Sequence, residues 1–403
     1  MLFTHSMFKN KALIPIAVVV FIDLLGFTII LPLLPFYAST FGASPMIIGL
    51  LIASYSVCQF FAGPVLGGLS DRFGRRPLLI YSQMGSFVGF ILLAVAQSLP
   101  VLFLSRIVDG ISGGNVTIAA AYIADVTEPK ERAGAMAIIG IGFGLGFVIG
   151  MPLGGVLATH YGYAVPALVA AGFSLSSTLL STFYLKEHNH VRDESATFGL
   201  HYYTRVFEYM RIPNLRASLM AFLFFVLPFS LFMSMFSLFA MIKLHFTAEN
   251  IGLFMGFVGM LGVIWQGGII RPMVRNIGEL TSMRIGMICM VIGLLGLAFA
   301  TTIPGLAVVA VILSFGTGIT RPTISSVITQ HAPATRKGGA LGVSSSLESF
   351  SRAFMPILGG WLIGGLHPNW IGYAGAIFAA IGTVLAFQIR GEEHELASEQ
   401  AAA

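Results

Sequence analysis

Charge is what this chain has least of. Only 10% of its 403 residues are Asp, Glu, Lys or Arg, while 56% are hydrophobic; soluble domains carry about 25% charged residues. That deficit excludes a water-soluble globular fold. Cysteine is nearly missing too. Cys58 and Cys289 each lie inside an apolar run, which argues against a disulfide framework and leaves both as small core residues. No H-E-x-x-H, P-loop or paired-cysteine motif occurs, and His160, His331 and His367 are scattered near the ends of apolar runs. Nothing therefore points to a metal site, to nucleotide hydrolysis or to an enzyme. The formal charge of +5 does not suggest nucleic acid, because the basic residues sit in short links between apolar stretches. After Lys9 and Lys11 the first apolar run is too long for a signal-peptide core and lacks an A-x-A site, so it is expected to persist as a first helix.

What the chain does have is long apolar runs. They fall near 12–36, 46–66, 77–97, 101–124, 134–158, 163–185, 215–241, 250–270, 281–301, 304–329, 339–363 and 369–389. Each is long enough to cross a hydrocarbon core of about 30 Å as a helix. The expectation is an all-α membrane protein with twelve transmembrane helices and no room for a separate soluble domain. The links alternate in charge. Of 22 Lys and Arg, only Lys243 falls on the side expected to face out, and Arg106, Arg321 and Arg352 lie within spans. By the positive-inside rule both termini are expected in the cytoplasm.

The halves repeat. Glu131–Met136 opens the fifth span and Arg336–Leu341 the eleventh with similar residues, and Met151–Gly155 recurs as Met355–Gly360. Two pseudo-symmetric six-helix bundles follow, with a substrate site expected between them near the midplane. The expected divisions are 1–186, a cytoplasmic linker at 187–213, 214–390 and a mobile tail at 391–403. Within the linker Leu200, Tyr203, Phe207 and Met210 recur at helical spacing. The segment reads either as a plain polar linker or as an amphipathic helix on the inner membrane surface.

The densest knot of charge is GGLSDRFGRRP, Gly67 to Pro77, read as a short cytoplasmic loop between the second and third spans. A positive-inside anchor accounts for Arg72, Arg75 and Arg76 but leaves Asp71, Gly67, Gly68 and Gly74 unexplained. Six ionisable residues fall inside spans: Asp23, Arg106, Asp109, Arg321, Glu348 and Arg352. Such groups are costly in a bilayer and default to functional candidates. Asp23 is either a proton carrier or a structural aspartate bonded to a neighbouring helix. Arg106 and Asp109, one turn apart, either neutralise each other or take part in coupling. Glu348 and Arg352 are i, i+4 neighbours. With Arg321 they form a network that binds a substrate, couples protons or pins the second half. Gly142, Gly146, Gly150 and Gly154 recur at every fourth residue beside Pro152, a bare stripe where another helix can approach closely. Gly252 and Gly256 offer a matching patch in the eighth span.

The pattern G-x-L-S-D-R-x-G-R-R at Gly67–Arg76 resembles the loop signature of the major facilitator superfamily, the twelve-helix secondary transporters. D-x-x-G-x-x-x-x-x-P-x-x-P from Asp23 is similar to the first span of the drug/proton antiporters, including tetracycline exporters. Arg106 to Gly110 resembles the family's R-x-x-x-G signature, and G-x-x-x-G-x-P-x-x-G at Gly146–Gly155 its antiporter signature, with Met151 where a glycine is usual before the proline. The resemblance implies proton coupling through Asp23 and Arg106, with Asp109 beside it; the intramembrane charges add Glu348 as a candidate. It implies a cytoplasmic gate of Gly67, Asp71, Arg72, Gly74, Arg75, Arg76 and Asp125, in which Asp125 meets Arg75 and Asp71 caps a helix end. It implies a substrate cavity lined by Asp23, Arg106, Asn115, Arg321, Glu348 and Arg352. The expected protein is a monomeric proton-coupled antiporter of a bacterial inner membrane. It would export a small amphipathic molecule by alternating access, with the proton gradient as its energy source and no cofactor or metal. Import, or export of an endogenous metabolite, lipid or siderophore, is the alternative; a receptor or membrane enzyme is the reading of a different class. The tetracycline exporters' acidic residues in the third and ninth spans and histidine in the eighth have no counterpart here, which argues against tetracycline–metal recognition by that route.

Overall fold

A computed structural model describes residues 13–128, 131–187, 208–333 and 336–389. The linker reading at Leu200–Phe207 and the tail at 391–403 lie outside the described residues. Helices account for nearly all of what is described, and no strand occurs among the described residues. In chain order they are α1 Leu13–Ile30, α2 Leu34–Thr40, α3 Pro45–Phe73, α4 Arg75–Ala94, α5 Leu99–Ile111, α6 Asn115–Val126, α7 Arg132–Leu145, α8 Met151–Tyr161, α9 Ala164–Tyr184, α10 Pro213–Leu244, α11 Ala248–Ile264, α12 Ile270–Ile277, α13 Glu279–Phe299, α14 Ile303–His331, α15 Lys337–Gly365 and α16 Trp370–Gln388. Single π-helical turns at Gly146–Gly150 and Trp265–Ile269 join α7 to α8 and α11 to α12.

Joined this way, eleven of the described helical segments are long and apolar enough to span a membrane. The expected eleventh span, α15, is long enough at 29 residues but is not among them. Ser344–Ser346, Glu348, Ser349, Ser351 and Arg352 make its centre polar. Large apolar side chains such as Phe61, Phe183, Phe299 and Val384 are exposed, as lipid-facing side chains are in a bilayer protein.

Two spans expected to be regular are broken, and the fifth and eighth pass through π turns. The first breaks at Leu31–Leu33, where Pro32 supplies no N–H, and resumes as α2 with Pro35 in its first turn. There the Tyr37 hydroxyl donates to the Ala96 carbonyl at 2.8 Å. The fourth breaks at Ser112–Gly114, between α5 and α6. Backbone groups freed in an apolar setting need other partners, and side chains supply them. Gln59 Nε2 donates to the Gly113 carbonyl at 2.9 Å, the Ser82 hydroxyl donates to the Ser112 carbonyl, and the Gly114 N–H donates back to Ser82 at 3.1 Å. The fifth span passes through the Gly146–Gly150 π turn.

The Gly67–Pro77 segment is also not a loop. α3 continues through Phe73 and α4 starts at Arg75, so the whole connection is Gly74, at φ +104°. Only glycine adopts that conformation without strain.

Packing divides the chain into a first unit drawn from Met1–Gly199 and Ala240–Met260 and a second from Leu200–Phe239 and Leu261–Ala403. This differs from halves cut cleanly at 187–213, because the start of α11 packs on α8. A side chain at Gly252 would meet the Met151 carbonyl at 2.4 Å, and one at Gly155 the Ala248 carbonyl at 2.5 Å. The four-glycine stripe itself faces α1. Side chains there would meet Leu24, Thr28 and the Ile29 carbonyl. The expected match between stripe and α11 glycines is thus corrected: α11 meets the adjoining face, since residues 154 and 155 point about 100° apart on a helix of 3.6 residues per turn.

In the first unit the apolar core gathers the early turns of α1 (Leu13, Ile16, Val20, Leu24) against Leu79 of α4, Ile118 and Tyr122 of α6, and Ile138 of α7. Asp23 lies between Val20 and Leu24 of this cluster, on the same helix.

Candidate functional site

Three helices converge on Asp23. Gln83 of α4 donates its side-chain amide to Asp23 Oδ2 at 3.0 Å, and the Ser177 hydroxyl of α9 donates to Oδ1. Gln83 is itself fixed by Ser174, which donates to its backbone carbonyl at 2.8 Å. Gln83 and Ser177 are fully buried. Gln83 Oε1 is buried and has no hydrogen-bond partner. The site thus offers two donors to an acceptor, an arrangement suited to a charged carboxylate and altered when a proton arrives.

Arg106 and Asp109 of α5 form a buried pair at 3.2 Å, with Arg106 2% and Asp109 3% exposed. The pair spans one helix turn, and Ser86 of α4 adds a hydrogen bond to Asp109. Its guanidinium stacks over Phe90 at 5.7 Å, and Arg106 Nη2 is a buried donor without a partner. Gly89 makes room for it: a side chain there would lie 2.8 Å from Asp109 Cβ. Asn115 opens α6 just after the Ser112–Gly114 break, with its side-chain oxygen buried and unpartnered.

At the α3–α4 turn, Arg75 bonds Asp125 at 2.8 Å through Nε, Asp71 through Nη1, and Ser70 Oγ at 2.7 Å. The cluster therefore unites Asp71, Arg75 and Asp125 within the first unit. Arg72 stands apart, over the ring of Phe73. The start of α4 is capped by Glu187, whose carboxylate accepts the backbone N–H groups of Arg75 at 2.9 Å and Arg76 at 3.1 Å. Arg76 in turn donates to the Ser181 and Thr182 carbonyls that end α9. Gly67 is in open space, whereas a side chain at Gly74 would press on Glu187 at 2.9 Å.

In the second unit, Arg321 of α14 donates through Nη2 to both oxygens of Glu348, at 2.8 and 2.9 Å, and Arg352 donates to Oε1 at 2.8 Å. The three expected partners meet as one network. Its charges are unequal in exposure: the Glu348 side chain is 15% exposed, those of Arg321 and Arg352 49% and 46%.

Sequence reasoning from ionisable residues missed Gln83, Ser177, Gln59 and Glu187. Gln83 carried a signal, as an amide flanked by Ser82 and Ser86 inside an otherwise apolar run. Ser177 carried little, because serines are frequent along α9.

The family model described as Major Facilitator Superfamily matches residues 16–353 and 269–403. The tetracycline resistance protein, class C, of Escherichia coli is 30% identical over 93% of this chain and 95% of that protein. Multidrug resistance protein 1 of Bacillus subtilis (strain 168) is 27% identical, covering 97% of this chain and 99% of that one. The crystal structure of the human organic anion transporter MFSD10 (TETRAN) superposes with a TM-score of 0.73 at 22% identity, over 94% of this chain and 99% of that one.

Proposed function

From the chain's membership of the major facilitator superfamily, as a multi-pass membrane transporter of small molecules, we propose that it is a proton-coupled antiporter that exports its cargo by alternating access. The observation that carries this reading is Asp23, a half-buried carboxylate in a membrane helix, held by Gln83 and Ser177 from two other helices. A carboxylate held only by neutral donors can take up and give back a proton without breaking an ion pair, which a paired one cannot. When Asp23 is protonated it loses its charge and its hold on both donors loosens, so proton load is felt by α4 and α9 together. Arg106, with a guanidinium nitrogen unpartnered and Asp109 beside it, supplies a second charge for the coupling cavity that Asn115 helps to line.

The Arg75–Asp71–Asp125 cluster serves as the cytoplasmic gate. It fixes the α3–α4 turn in one state and must open in the other, the bistability that alternating access requires. The stacked glycines against α1 and α11 let these helices slide at close range. The Lys and Arg distribution supports cytoplasmic termini and a cell-membrane location, the bacterial inner membrane. The chain acts as a monomer, without cofactor and without enzymatic turnover, on the energy of the proton gradient.

Reconstituted vesicles test this. Wild-type protein is expected to accumulate cargo in response to an imposed pH step, and Asp23→Asn to lose that response while still folding. Retained gradient-driven flux in Asp23→Asn would remove Asp23 from the coupling step.

A further inference from the structure

The network in the second unit is short of negative charge. Glu348 is one carboxylate between two guanidinium groups, so the cluster carries a net positive charge. Each arginine uses only Nη2: Arg321 on both Glu348 oxygens, Arg352 on Oε1. Their Nε and Nη1 donors meet no other protein acceptor among the described residues, and each side chain is about half exposed (49% and 46%). Both sit near the middle of 29-residue helices. Charged groups at that depth face a wet cavity rather than lipid, and lipid headgroups lie at the membrane surface, out of reach. A guanidinium with a free edge is the side-chain group best shaped to grip a carboxylate or phosphonate through paired hydrogen bonds.

An apolar wall stands beside it. Ser314, Gly318 and Arg321 share one face of α14 by their spacing. Trp265 covers that face, its indole N–H donating to Ser314 at 3.1 Å and its Cβ lying 3.5 Å from where a Gly318 side chain would begin. Phe315 packs edge-on against the same indole.

We infer that Arg321 and Arg352 form a binding site for an organic anion, a carboxylate or phosphonate on an aromatic body, with Glu348 as the resident counter-ion that positions both arginines. The inference rests on the transport reading and names the charge of the cargo. Lipophilic cations are disfavoured by the same excess of positive charge.

The test uses the purified full chain in detergent and then in phosphatidylcholine vesicles, which hold no anionic lipid. Thermal unfolding is followed with sodium salicylate, with phenylphosphonate and with tetraphenylphosphonium. Salicylate and phenylphosphonate are expected to raise the unfolding temperature saturably, and tetraphenylphosphonium to leave it unchanged. Arg352→Gln is expected to weaken salicylate about tenfold, as loss of one charge-assisted hydrogen bond predicts, with Arg352→Lys intermediate. Stabilisation by tetraphenylphosphonium but not by either anion would overturn the inference. So would Arg352→Gln and Arg352→Lys that bind salicylate with unchanged midpoints. The binding arm needs no proton gradient, so its failure is distinct from failure of the transport reading, which the Asp23→Asn vesicle experiment measures by itself.

Discussion

Glu187 and Arg76 each cap the helix that the other belongs to or follows. Glu187, three residues past the end of α9, takes the first two N–H groups of α4. Arg76, in the first turn of α4, takes the last carbonyls of α9. The exchange relieves two arginines at a helix N-terminus, where positive charge is otherwise unfavourable. The second unit repeats half of it: Arg284 of α13 donates to the carbonyls of Ala386 and Ile389 at 3.1 and 3.0 Å, at the end of α16. Glu187→Ala is expected to cost about 0.5–2 kcal/mol of stability, the usual range for a lost helix cap. Equilibrium unfolding of Glu187→Ala, Arg76→Ala and the double variant measures it. Additive losses would show that the two caps act separately.

Gly74 and Gly278 occupy the same place in their units, the single residue between α3 and α4 and between α12 and α13, at φ +104° and +79°. A side chain is strained at either, by about 1–2 kcal/mol. Only at Gly74 does it also meet Glu187; at Gly278 nothing lies within 4 Å. Gly74→Ala is therefore expected to lower the unfolding temperature more than Gly278→Ala. Glu187→Ala should erase part of that difference.

Hydropathy made every spanning helix but the polar-centred α15 legible, because an apolar run long enough to cross a bilayer has few other uses. It also placed Asp23, Arg106, Asp109 and the Arg321–Glu348–Arg352 trio, since a charge stands out in such a run. The break at Ser112–Gly114 was not legible. Glycine pairs are tolerated within membrane helices, and what opens this one is Gln59 and Ser82 reaching in from neighbouring helices. The helical form of Gly67–Pro77 is hidden for the opposite reason: polar residues at a membrane surface look the same in a helix and in a coil. Glu187 was invisible because its partner, the start of α4, lies far away in sequence. The glycine stripe announced close packing but not its partner, which depends on which way each glycine points.

Gln83 tests the reading of Asp23 without touching the carboxylate. Gln83→Leu removes one of two donors while filling similar space, and Gln83 Oε1 has no partner to lose. The variant leaves Asp23 Oδ2 without its amide donor, a loss of about 1–3 kcal/mol for a buried acceptor. Proton-driven flux per folded molecule in vesicles is expected to fall at least about tenfold, the effect of about 1.4 kcal/mol, beyond any fall in unfolding temperature. Undiminished flux would mean that Gln83 does not set the state of Asp23.

Gly154 and Gly140 separate close packing from mere glycine content. Both lie on the fifth span, but a side chain at Gly154 would stand 2.3 Å from the Ile29 carbonyl, and one at Gly140 has nothing within 4 Å. The neighbour at Gly154 is backbone, so it cannot rotate aside; α1 as a whole must move. Gly154→Ala is expected to cost about 1–3 kcal/mol, the range for overpacking. Gly140→Ala should be neutral or stabilising by up to about 1 kcal/mol, because it only reduces backbone freedom in a helix. Thermal unfolding of the two variants side by side gives the answer. Because α1 carries Asp23, Gly154→Ala should also reduce transport beyond its loss of folded protein, while Gly140→Ala should transport like the wild type. Equal behaviour of the two would mean that the stripe is ordinary helix surface and that α1 does not depend on it.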